Sequence, residues 1–232
     1  MNASAPPGPS TDGTGHRARL RGRLLDDGGE ALLDHELIEY LLALAIPRRD
    51  TKPLAKALLH EFGGLGGLLS ADPRAIARVP GMGDTAVAAL KIAHASAIRM
   101  LRGEMAARPV LSNWQAVLDY LQAEMAYHSI ERVRVLHLNV RNMLIRDELV
   151  AEGSIDQAPI YAREVIRRAI ELGSAAIILV HNHPSGDVTP SRADIDLTRI
   201  VMQAARHLDI AVHDHIVIGT QGHTSLRAKG LM

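Results

Sequence analysis

The chain contains no cysteine, and that absence removes disulfides, thiolate nucleophiles, Cys-ligated zinc and iron-sulfur clusters together. Any metal site must therefore be built from histidine and carboxylate. Net charge is missing as well: 26 Lys and Arg balance 26 Asp and Glu over 232 residues, which leaves no bulk electrostatic footprint for nucleic acid. Both halves are close to neutral, with 14 basic against 12 acidic residues up to residue 109 and 12 against 14 beyond it. Aromatics reach only 3%, too few for a platform that stacks the bases of single strands. Long apolar runs are lacking: Ala175 to Val180 is far too short to span a bilayer, and the opening residues show no charged-then-apolar leader pattern. A protein of a reducing compartment, the cytoplasm, without membrane contact is expected. Hydrophobic residues at 47% exclude wholesale disorder. At about 100 to 200 residues per domain, the length admits one large domain or two small ones.

What is plentiful is histidine. Of 12, eight (His128, His137, His181, His183, His207, His213, His215, His223) come after residue 109, so metal or acid-base chemistry is sought there. Residues 1–15 are rich in Pro, Gly, Ser and Thr and read as a mobile tail. Arg17, Arg19, Arg21 and Arg23 then crowd four positive charges together, fitting a solvated helix start or a phosphate-contacting arm. Apolar residues at helical spacing predict helices from Asp34 to about Ala45, Lys52 to Phe62, Pro73 to Val79 and Asp84 to about Leu101, so residues 16–102 form an all-α domain. Residues 103–112, holding Arg108-Pro109, break the pattern and are expected as a linker. Residues 113–232 change texture. Helices near Asn113 to Tyr127, Tyr161 to Leu172 and Arg192 to Leu208 alternate with strands Arg132 to Leu138, Met143 to Val150, Ala175 to Val180 and Ile210 to Ile218. That order predicts an α/β domain, a sheet covered by helices.

The most informative stretch is His181-Asn182-His183-Pro184-Ser185-Gly186, with Ser191 and Asp194 beyond it. In a strand that runs on extended, residues two apart share a face, so His181 and His183 can aim imidazoles at one point. A helix opening near Ser191 returns Asp194 on its first turn. Two His and one carboxylate leave a fourth tetrahedral position open, the pattern of a catalytic rather than a structural zinc site. Competing explanations exist. A His-x-His pair alone is weak evidence, and Ser191-x-x-Asp194 also reads as a capping box for the helix it opens. His213-Asp214-His215 is a second such pair, but the position matching Asp194 is Leu226, which cannot bind a metal; His213 and His215 are read as strand residues with satisfied hydrogen bonds.

With these residues together the sequence resembles the RadC family, whose C-terminal domain belongs to the JAB/MPN group of metalloproteins. The resemblance rests on His181-Asn182-His183-Pro184-Ser185-Gly186, Pro190-Ser191, Asp194, Asp214-His215 and Arg163-Glu164. It implies a cytidine-deaminase-like fold with a mixed sheet flanked by helices, one zinc per chain on His181, His183 and Asp194, and Ser191 as oxyanion donor. It also implies a glutamate well upstream that activates the water. Glu131, opening the alternating run from Arg132 to Leu136, is the choice; Glu152 and Glu164 compete. The implied function is hydrolysis of peptide or isopeptide bonds in a peptide or protein substrate.

In the helical part, Val79-Pro80-Gly81-Met82-Gly83-Asp84, with Ala86, Leu90 and Lys91, looks like a helix-hairpin-helix. Gly81 and Gly83 permit a tight turn that exposes backbone N–H groups at a helix N-terminus, where a DNA phosphate can sit, with Lys91 near in sequence. Asp84 opposes that role by its charge. The alternative function is therefore a DNA-associated, repair-linked binding protein that contacts duplex DNA nonspecifically and whose metal is structural or inactive. No sequence feature sets an oligomeric state.

Overall fold

In the computed structural model, which describes residues 13–153 and 162–232, the chain divides into two compact units, 1–94 and 95–232. The division falls inside a helix. Residues 103–112, expected as a linker, lie within the second unit because Met105 and Val110 are apolar and fully buried in its core. Of the expected tail, residues 1–12 lie outside the described residues, and residues 13–15 open a helix.

The first unit is helical: α1 (Gly13–Asp27), α2 (Asp34–Ala45), α3 (Lys52–Glu61), α4 (Leu65–Ser70), α5 (Pro73–Ala77) and the start of α6 (Asp84–Ala106). Ile38 and Leu42 of α2, Leu54 and Leu58 of α3, Leu68, Ile76 and Leu90 close one apolar core. The short α4 has two glycines in its six residues and poor helix propensity; full burial of Leu68 fixes it. Asp72 caps α5 by accepting from the N–H groups of Arg74 and Ala75 at 2.7 and 3.3 Å. Pro73 stands in the first turn, where a missing N–H costs nothing.

The second unit adds α7 (Trp114–Met125), β1 (Arg132–Leu138), β2 (Leu144–Glu152), α8 (Ala162–Glu171), β3 (Ala176–Asn182), α9 (Arg192–Arg206), β4 (Ala211–Gly219) and β5 (Gly222–Ser225). The sheet order is β2-β1-β3-β4-β5. β3 and β4 run parallel, with α9 as their crossover, and the other neighbours are antiparallel, so the sheet is mixed. β5 has no apolar alternation, gave no sequence signal and pairs with β4.

Strand alternation assigns the two faces. Leu136, Leu138, Ile178, Val180, Ile216 and Ile218 pack with Val117, Leu121 and Met125 of α7. Val135, Ile177, Leu179 and Val212 pack with Val165 and Ala169 of α8 and with Val201 and Ala205 of α9. All seven residues of β3 are buried, as a central strand covered on both sides requires. In β4 the register slips by one between the pairs Ile177–Val212 and Ile178–Asp214, leaving His213 as the extra residue of a bulge. Val212 thus faces α9 while Ile216 and Ile218 face α7, although their numbers share a parity.

Candidate metal centre

On α9 the positions 194, 198, 201 and 205 are spaced four, three and four apart and form one buried stripe: Asp194, Thr198, Val201 and Ala205. Asp194 is drawn inward because it heads that stripe, and Thr198 lies one turn below it. His181 shares its strand face with Leu179 and Ile177, which pack toward α9. The end of β3 and the start of α9 therefore meet outside the carboxyl end of a parallel strand, where open α/β sheets place ligands.

The meeting is close. His181 Nε2 lies 3.0 Å from His183 Nε2 and 3.3 Å from Asp194 Oδ1, and His183 Nε2 lies 3.7 Å from Asp194 Oδ2. Ligand atoms of these three residues all fall within 4.8 Å of one another. His181 and Asp194 are buried, and His183 is partly open to solvent. The loop behind His183 is held tightly. His183 Nδ1 donates to the carbonyl of Asp187 at 2.7 Å. Gly186 has φ 84°, and a side chain there would run into the Thr220 hydroxyl.

Ser191 is the N-cap of α9. Its N–H and its hydroxyl both reach Asp194 Oδ2 at 2.7 Å, and its oxygen accepts from Asp194 N at 3.2 Å. The capping box and the convergence with the two histidines thus coexist on one carboxylate. Asp194 Oδ1 is buried and has no hydrogen-bond partner, a state that costs about 1–3 kcal/mol unless something occupies it. Burial works against the Asp194 charge, but His181, His183 and Ser191 hold its carboxyl well below the usual range. The Asp194 interaction raises His183 above the ordinary histidine value, with the Asp187 carbonyl and the charge of Glu131 adding to it. Two ring nitrogens and a carboxylate thus converge on one small space. The donor set of two imidazoles and one carboxylate fits a divalent metal ion.

The second pair of histidines behaves differently. His213 Nε2 meets Asn142 Oδ1 at 2.7 Å. His215 is fully buried; burial pushes it well below the ordinary histidine value and keeps it neutral. Its Nε2 lies 2.8 Å from His181 Nδ1, and its Nδ1 lies 2.6 Å from Thr198 Oγ1. The bulge at His213 is what turns His215 toward α9. Neither His215 nor Thr198 was singled out as a site residue from sequence; the signal for Thr198 was its place four residues after Asp194.

Among the glutamates, Glu131 directly precedes β1, its carbonyl accepts from Gly153 N at 2.8 Å, and its charge acts on His183. Glu152 pairs with Arg132 at 3.2 Å across the β1–β2 ladder. Glu164 is on α8, exposed, 3.0 Å from Arg167.

In the first unit, the hairpin between α5 and α6 is present. Gly81 has φ 98° and lies against the Arg49 guanidinium. The carbonyl of Gly83 accepts from Ala86 N and Val87 N at 2.9 and 3.0 Å. Lys91 is half-buried and donates from Nζ to the carbonyl of Leu69 at 2.7 Å; burial lowers its pKa. Among the described residues no helix is long and apolar enough to cross a membrane.

Two families of known proteins match the chain. The RadC-like JAB domain matches residues 111–231, covering the whole sheet and the three-residue cluster. The UPF0758 N-terminal family matches residues 14–88, the helical unit up to the first turns of α6. With a RadC-like JAB domain over more than half its length and that helical region before it, this chain belongs to the RadC family.

Proposed function

We propose that the second unit is a zinc-dependent hydrolase of peptide or isopeptide bonds, with His181, His183 and Asp194 holding one zinc ion per chain. The observation that carries this reading is Asp194 Oδ1, a buried carboxylate oxygen without a hydrogen-bond partner, 3.3 Å from His181 Nε2. Zinc on two imidazoles and a carboxylate supplies Lewis acidity toward a carbonyl and lowers the pKa of water to about 7. Glu131, whose charge is felt at His183, takes the proton from the attacking water and delivers it to the leaving amine. Ser191 has a part that its geometry allows without loss of the cap. Its N–H alone can keep Asp194 Oδ2 in place while the hydroxyl turns to the developing oxyanion.

The test is cleavage of a broad peptide library with added zinc. Cleavage that disappears on chelation and in Glu131→Gln supports the assignment; cleavage that persists in Glu131→Gln moves the proton carrier to Glu152 or Glu164. His183→Ala should abolish zinc binding, and stoichiometric zinc in that variant by metal analysis rejects the ligand set. The alternative of a DNA-associated protein loses support at Lys91, whose ammonium is held by the Leu69 carbonyl. Salt-dependent retardation of duplex DNA by the full chain would restore it.

A further inference from the structure

We infer that His215 and Thr198 are positioning residues that decide which nitrogen of His181 carries its proton, and so leave Nε2 of His181 as the ligand atom. The inference rests on the metal-site reading above. Its basis is the supply of donors along one buried chain of hydrogen bonds.

The backbone carbonyl of Asp194 can only accept. Thr198 Oγ1 lies 2.6 Å from it and has a single proton to give, so that proton goes to the carbonyl. The same oxygen lies 2.6 Å from His215 Nδ1, which must then be the donor. A ring with its proton on Nδ1 presents a lone pair at Nε2, and His215 Nε2 is 2.8 Å from His181 Nδ1. His181 therefore carries its proton on Nδ1, and its Nε2 faces His183 and Asp194 with a free electron pair. His181, His215 and Thr198 are all fully buried, so no solvent competes for any of these bonds. His183 reaches the same state by a shorter route, through the carbonyl of Asp187 at 2.7 Å.

The two routes differ in what they tie together. The path from His181 through His215 and Thr198 ends on the backbone of Asp194, whose side chain supplies the third ligand atom. One imidazole ligand and the carboxylate ligand are thus linked twice, once through the metal position and once through this chain. Outer partners of a ligating histidine set its tautomer and its orientation, and losing one typically weakens metal affinity about 10–100-fold.

Three variants test the role. His215→Phe keeps a buried ring and removes the acceptor; Thr198→Val keeps the branched shape and removes the hydroxyl; His215→Gln restores an acceptor oxygen for His181 Nδ1–H. Two readouts apply. Long-range proton–nitrogen spectra of 15N-histidine protein, metal-free, report the tautomer of His181. Competition with a chromogenic chelator reports zinc affinity. Nδ1–H at His181 is expected in the wild type, with loss of that single tautomer and about 10–100-fold weaker zinc binding in His215→Phe and Thr198→Val. His215→Gln should recover both. Wild-type protein without zinc affinity overturns the metal site. Nε2–H at His181 in the metal-free wild type overturns the positioning role, as does unchanged affinity in both disruptive variants. Should His215→Phe fail to fold, the wild-type spectrum and Thr198→Val decide alone.

Discussion

Replacing Asp194 with Asn separates the helix cap that this side chain makes from the metal ligation proposed for it. Oδ2 accepts from the N–H and the hydroxyl of Ser191, each at 2.7 Å, and Oδ1 is buried toward His181. An amide retains one oxygen for the Ser191 pair. Its loss is the difference between hydrogen bonds to a charged and to a neutral acceptor, about 1 kcal/mol. The amide NH2 then points at the His181 electron pair and donates to it, which offsets part of that loss. Metal-free Asp194→Asn should therefore unfold within about 4 °C of the wild type, at roughly 4 °C per kcal/mol for a domain of this size. Zinc should separate the two sharply. At a free concentration of 100 times Kd, binding to the native state adds about 2.7 kcal/mol, or about 10 °C, to the wild type and nothing to the variant. Thermal unfolding monitored by circular dichroism, with zinc and then with excess chelator, measures both numbers. An equal zinc-dependent rise in Asp194→Asn would falsify the view that this carboxylate is a ligand.

Three further outcomes are expected. Tyr120→Phe strips the hydroxyl that donates to Asp147 Oδ2 and leaves that oxygen buried, while Arg134 still holds Oδ1 at 2.7 Å; urea unfolding should show a loss of about 1.5–3 kcal/mol, and no loss would mean the bond is idle. Gly186→Ala must adopt a left-handed backbone and meet the Thr220 hydroxyl, costing about 1–3 kcal/mol for the backbone alone; adding Thr220→Ala should recover only the steric part. The hydrogen bond from Arg23, then that from the Leu33 N–H, lower Glu36 from 4.5 to about 2. Because the folded value is the lower one, this contribution to stability is present above about pH 4.5 and is lost as pH falls toward about 2. Glu36→Gln should flatten that part of a stability-against-pH curve, and an unchanged curve would assign the acid sensitivity elsewhere.

Much of the fold was legible because its signals are local. The alternation of Arg132 to Leu138 gave β1 to the residue, and the spacing of Leu37, Ile38, Leu41 and Leu42 gave α2. The units escaped detection at their boundary because α6 continues from one core into the next without a break in helical periodicity, so Met105 looked like the edge of a linker and is interior. α4 and β5 were missed because burial of one leucine and pairing along one strand hold them, and neither leaves a pattern in six or four residues. At the site, the spacing of His181, His183 and Asp194 marked a candidate cluster and the resemblance named it as a ligand set; the fold brings ligand atoms of the three within 4.8 Å of one another. The part of His215 was hidden because it depends on a register slip that no residue type announces, and its partner Thr198 is an ordinary threonine until the helix places it under Asp194.

That slip in β4 ties chemistry to chain length. A deletion or insertion anywhere from Asp214 onward through the strand would invert the sidedness of every later strand residue, as any one-residue frame change does in an extended chain. Removing His213 itself is the exception, since taking out the surplus residue leaves Val212 and His215 on the side they already occupy. From His213 onward the strand can therefore lose a residue at one address only, and a histidine that resembles its neighbour on paper is the spacer that lets the neighbour point the right way.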